Sequence, residues 1–106
     1  MVVVNFPFSN ASDVKRRPAL VLAVPDRSDS ILCQISSQVY SFDPHAIPLD
    51  SADFASGGLN HPSRIRPHHI FTIHSSAIFY KAGEIRAAKL EQVLSALIAI
   101  LRGPVH

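Results

Sequence analysis

The sequence contains no tryptophan, a single cysteine and only four glycines, and charged residues make up just 17% of its 106 positions. One cysteine cannot close an internal disulfide, so nothing indicates an oxidising compartment. Cys33 lies in the apolar run Ile31-Leu32-Cys33-Gln34-Ile35 and reads as a small buried hydrophobe. No segment approaches the ~20 apolar residues of a membrane-spanning helix. Met1 to Phe6 lacks the basic region and long apolar core of a signal peptide. A cytoplasmic protein without membrane association is expected. A Gly-rich phosphate loop, a nucleophile elbow and a well-spaced carboxylate pair are also missing, which excludes several common enzyme classes.

What is present is apolar. Hydrophobic residues make up 47% of the chain, which excludes a disordered tail. Residues 1–106 suffice for one domain around one core. With so little charge, some apolar surface is left for a partner, and a homodimer covers it most simply. The net charge of +2 and pI near 9.0 are compatible with a polyanionic ligand without identifying one.

Along the chain, Val2 to Phe6 is a β-branched run that predicts a first strand ending at Pro7. Phe8 to Arg17 reads as a polar loop with Ser9, Asn10, Ser12 and Asp13 as turn formers. Ala19 to Val24 predicts a second strand, and Ser30 to Ile35 a third that pairs with it as a hairpin. Ala46 to Leu49 suits a short edge strand, where Pro48 is tolerated. Ser51 to Pro62 reads as loop with at most one helical turn. Ser63 to Arg66 reads as a strand cut off by Pro67, His69 to His74 as another, and Ile78 to Ile85 as a further one with Gly83 at a bulge. Leu90, Val93, Leu94, Leu97, Ile98 and Leu101 share one helical face, with Gly103-Pro104 as the stop. Short strands followed by one amphipathic helix predict a mainly β fold, a small half-open barrel with a C-terminal helix packed on it.

Two polar junctions stand out. In Lys15-Arg16-Arg17-Pro18-Ala19 a cationic run abuts an apolar strand. Guanidinium groups bind phosphate through paired N–H bonds and stay charged at any physiological pH. Pro18 restricts both itself and Arg17. By composition alone the run reads first as a solvated charge cluster in a loop. The second junction, Ser36-Ser37-Gln38, ends the third strand, so a hairpin would bring Ser36 beside Arg17. Its hydroxyls and amide can donate to phosphate and accept from a sugar. His68, His69 and His74 have a loosely metal-like spacing. However, adjacent strand residues face opposite ways and no carboxylate or cysteine cluster completes a site, so no metal is expected.

In this order the pieces resemble the MazF/PemK family of ribonuclease toxins from type II toxin–antitoxin systems. The matching segments are Val2 to Ser9, Lys15 to Leu22 with its Arg17-Pro18-Ala19 signature, Ile35 to Gln38, Gly58-Leu59, Pro62 to Arg66, Phe71 to Ile73 and the terminal helix. The resemblance implies an SH3-like barrel, a homodimer, a cognate antitoxin, and cofactor-free, metal-independent cleavage of single-stranded RNA. It maps the catalytic arginine to Arg17 and the catalytic hydroxyl to Ser36, with Lys15, Arg16, Ser37 and Gln38 as RNA contacts. Two departures are visible: the family's Gly-Asp before the first strand is missing, and a Ser-Ser pair stands where threonine is common first. The shortened start favours an alternative, a weakened toxin-like barrel that binds RNA or a peptide. The implied chemistry is attack of a 2′-hydroxyl on the adjacent phosphate, giving a 2′,3′-cyclic phosphate. Arginine is a poor base, so the proton transfer has no evident owner; His61, His68 and His69 are the imidazoles on offer.

Overall fold

The computed structural model describes residues 1–7, 14–37 and 42–104, without the side chains of residues 5–7, 14 and 15. Eight strands precede one helix: β1 (Val2–Pro7), β2 (Val14–Ala23), β3 (Asp29–Ser36), β4 (Ile47–Leu49), β5 (Phe54–Gly57), β6 (Ser63–His74), β7 (Ile78–Lys81), β8 (Gly83–Ile85) and α1 (Ala87–Leu101). Six of them form an antiparallel sheet in the order β4-β6-β3-β2-β1-β7, and β5 pairs with β8. Strands β4 and β7 are left as edges, so the expected half-open barrel with a C-terminal helix is what forms.

Each face of the large sheet carries its own apolar cluster. Met1, Leu20, Cys33, Ile35, Ile65 and Val93 pack on the helix side. Val2, Val4, Ala19 and Leu32, backed by Phe71 and Ile73, pack on the other. Alternation along β2 and β3 sends successive residues to these two clusters, which explains why both strands read as apolar throughout. Burial pushes the Cys33 thiol up to about 12, in keeping with its role as a hydrophobe.

Five boundaries differ from the sequence reading. The cationic run does not end a loop: β2 starts at Val14, and Lys15, Arg16 and Arg17 are paired with Phe6, Asn5 and Val4 of β1. The β2–β3 ladder begins only at Ala19, so Pro18 sits where pairing to that neighbour has stopped and its missing N–H costs little. Strand β6 runs unbroken through Pro67 because the register jumps there, from Arg66 opposite Gln34 to Ile70 opposite Cys33. Residues 67–69 bulge out, and a bulge tolerates proline. Phe54–Gly57, taken as loop, is a strand following a 3₁₀ turn at Ser51–Asp53. Ile78 to Ile85 divides into β7 and β8, which belong to different sheets. Gly83 opens β8 instead of bulging; a Cβ there would lie 2.8 Å from the Ser56 carbonyl oxygen, so the close β5–β8 approach requires glycine. The turn formers of residues 8–13 lie outside the described residues.

The helix stripe holds at its start and rotates at its end. Val93 is fully buried and Leu90 and Ala96 pack on the core, but Ile98 and Leu101 are 49% and 70% exposed. Ile100 with Ala96 and Ala99 instead borders a groove against Pro44 to Ile47. No helix among the described residues is long and apolar enough to cross a membrane.

Candidate functional site

The central strand β3 supplies the middle of the site. Gln34 and Ser36 share a face with Leu32, and across that face each has a partner on β6: Gln34 opposite Arg66, Ser36 opposite Arg64. On the other side Ala19 of β2 is opposite Gln34. The ladder to β2 ends at that pair; extended two residues past it, the same register would align Arg17 with Ser36. Residues directly opposite in an antiparallel pair project to the same face. On that extension one row runs Arg17, Ser36, Arg64 over three neighbouring strands, and the next runs Ala19, Gln34, Arg66. Arg17 and Ser36, expected as neighbours from the hairpin, lie at the same end of β2 and β3.

The other expected contacts scatter. Arg16 follows the opposite alternation from Arg17, and its Cζ lies 3.8 Å from the centroid of the Phe79 ring on β7. That stacking of a cation on an exposed aromatic is worth about 0.5–1 kcal/mol. Ser37 is exposed just past the end of β3. Gln38 lies outside the described residues, as does the side chain of Lys15.

Sequence reasoning missed a polar chain beside the row. Arg66 donates from Nε to Asp43 Oδ2 at 2.8 Å and from Nη1 to Gln34 Oε1 at 2.9 Å. Burial of Asp43 opposes its charge. The Arg66 bond, the His45 backbone N–H and the nearby His68 outweigh that opposition and hold the carboxyl below its ordinary value. A folded-state value below the unfolded one stabilises the fold above about pH 4, and that contribution is lost as pH falls through the folded value. Asp43→Asn is expected to cost about 1–3 kcal/mol at pH 7 and to lessen the loss of stability on acidification. Urea midpoints measured at pH 7 and pH 3 check both effects.

The histidines also gather here. His68 Nε2 is 3.8 Å from Asp43 Oδ1, and its buried Nδ1 has no hydrogen-bond partner among the described residues. The His68 and His69 rings are 4.5 Å apart, and His45 is 5.1 Å from His68. Strict strand alternation would have separated His68 from His69; the β6 bulge brings them together. Burial, then Arg66 and His68, push the His69 imidazole below its ordinary value, with Asp43 acting the other way. It lines a cavity of about 220 Å³ with Gln34, Ile70 and Phe71, so it lies beside the second row. His61 borders a separate cavity with Leu49 and Phe54. Among the described residues no group of three His, Cys, Asp or Glu side chains is arranged to hold a metal ion.

A curled antiparallel sheet with a C-terminal helix and a row of arginine, serine and arginine narrows the class of protein. The profile of the PemK-like, MazF-like toxins of type II toxin–antitoxin systems matches residues 1–101, and the chain belongs to that family. It is a toxin-family protein, which implies an antitoxin partner. Among solved structures, the Mycobacterium tuberculosis toxin MazF-mt6 superposes with a TM-score of 0.66 over 94% of each chain at 22% identity. A second M. tuberculosis toxin superposes with a TM-score of 0.62 over 76% of this chain and 88% of its own, at 24% identity. Both similarities concern the fold. No curated protein sequence matches significantly.

Proposed function

We propose that this chain is an endoribonuclease, the toxin of a type II pair, cutting single-stranded RNA in the cytoplasm as a homodimeric, single-domain protein. What supports this reading is that Arg17 and Ser36 lie at the same end of β2 and β3, where the Ala19–Gln34 register, extended by two residues, would align them on one face of the sheet. In the proposed reaction the 2′-hydroxyl oxygen attacks its adjacent phosphorus and the P–O5′ bond breaks. A 2′,3′-cyclic phosphate and a 5′-hydroxyl end result. Arg17 offsets the charge that builds on the phosphoryl oxygens, and Ser36 donates to the same group. The base for the 2′-hydroxyl proton is assigned to His69, which lines a cavity with Gln34 beside this row and whose ordinary value is lowered by burial and Arg66. Lys15, Ser37 and Gln38 would follow the RNA strand beyond the reacting phosphate, whereas Arg16, on the other face of β2 against Phe79, lies off that path.

End-mapping tests the chemistry. Purified protein incubated with single-stranded RNA in EDTA should leave 2′,3′-cyclic phosphate and 5′-hydroxyl ends. A single 2′-deoxy substitution at the mapped site should stop the cut, because the nucleophile is gone. Ends bearing 5′-phosphate, or cutting of the deoxy substrate, would reject the mechanism.

A further inference from the structure

Two arginines project from the site face of β6, and they are not equivalent. Arg66 is held by Asp43 and Gln34, so its charge is already balanced. Arg64 is partly buried and directly opposite Ser36, yet it forms no ion pair or side-chain hydrogen bond among the described residues. Apart from Ser36, its cross-strand neighbour is Pro48 on the edge strand β4, which offers no charge. A partly desolvated guanidinium without a counter-charge is costly unless an anion completes it. Neighbouring paired strands lie about 4.8 Å apart, so Arg64 is one strand from Ser36, and Arg17, two strands from Arg64 past the end of the β2–β3 ladder, is at least roughly 10 Å from it across the sheet. That spacing is too wide for both side chains to crowd a single oxygen, and it suits two successive linkages of one strand.

Resting on the ribonuclease reading, we infer that Arg64 binds the RNA phosphate next to the one that is cut, on the β6 side of Ser36. Arg17 then serves the reacting phosphate and Arg64 sets the position of the strand. Arg64 acts on substrate binding, and the transition state gains little from it beyond what the ground state already has. Nothing in the Arg17-Pro18-Ala19 signature points to this residue. Its evidence is its place opposite Ser36 and the absence of a carboxylate partner among the described residues.

The test uses RNA oligonucleotides containing the mapped cleavage site, each with one uncharged methylphosphonate linkage at a different position. Arg64→Gln should raise KM about 10- to 100-fold with kcat little changed. It should also lower the slope of log affinity against log salt by about 0.7, the share of one phosphate on a single strand. For one linkage adjacent to the cut, neutralisation should weaken the wild type as much as Arg64→Gln does and add nothing further in the variant. Arg64→Lys, which keeps the charge and loses the paired N–H geometry, should restore the salt slope and only part of the KM. Unchanged KM in Arg64→Gln, or additive losses at every linkage, overturns the inference while leaving the ribonuclease reading intact. A folded wild type that neither binds nor cuts RNA overturns both.

Discussion

Arg17→Ala should lower the rate of single-stranded RNA cleavage by about 10²–10³-fold, the usual loss when one preorganised donor to a developing oxyanion is removed. Thermal unfolding of the variant should stay close to that of the parent. Arg17 is half-buried and lies past the Ala19 end of the β2–β3 ladder, whereas the buried apolar residues of β2 begin at Ala19 and Leu20. Arg17→Lys should recover little, because a point charge cannot reproduce two parallel N–H bonds to a phosphoryl group. The measurement is a cleavage time course beside a binding curve on an RNA whose scissile 2′-hydroxyl is removed. Binding kept with cleavage lost is the expected pattern. If the wild type binds RNA or an acidic peptide tightly and never cuts, the weakened-barrel alternative takes its place. Full activity in Arg17→Ala would reject the assignment outright.

Val93→Asp should cost about 4 kcal/mol or more, because it places a carboxylate in a dry core with nothing to pair it. Val93 is the fully buried residue of α1 and packs in the cluster with Leu20, Cys33, Ile35 and Ile65. A domain of this size has about 5–15 kcal/mol of stability in all, so the variant should be largely unfolded or close to it. Ser95→Asp, on the exposed side of the same helix, is the control, with a change within about 0.5 kcal/mol expected. Chemical denaturation followed by far-UV circular dichroism separates the two. A Val93→Asp protein as stable as its parent would mean that α1 does not seal the core.

The helix was legible because its apolar period repeats over three turns, a local signal that packing reinforces. Its last turn was not, since Ile98 and Leu101 continue the period while the underlying sheet has already ended, leaving them in solvent. Strand β6 was read as two pieces because a proline normally ends a central strand. The bulge that accommodates Pro67 exists only in the pairing with β3. Phe54–Gly57 carries no β pattern of its own and becomes a strand by docking on β8. That Arg17 and Ser36 lie at the same end of β2 and β3 was accessible because both residues flank one hairpin. The Asp43–Arg66–Gln34 chain was not, as its members are 23 and 32 positions apart and no residue near any of them announces the others. Arg64 was missed for a related reason: a missing partner can be noticed only once the neighbours are known.

Arg16 over Phe79 and Arg17 beside Ser36 are consecutive residues on opposite faces of β2, and this gives the strand a second duty. A slip of one position along β1 would exchange them, and would also turn Ala19 and Leu20 out of their respective clusters. The same error would therefore empty the proposed reaction site and break both cores together. A chain in the wrong register cannot persist as a well-packed but inactive form, so the correctness of the fold and the presence of the chemistry are monitored by a single alignment.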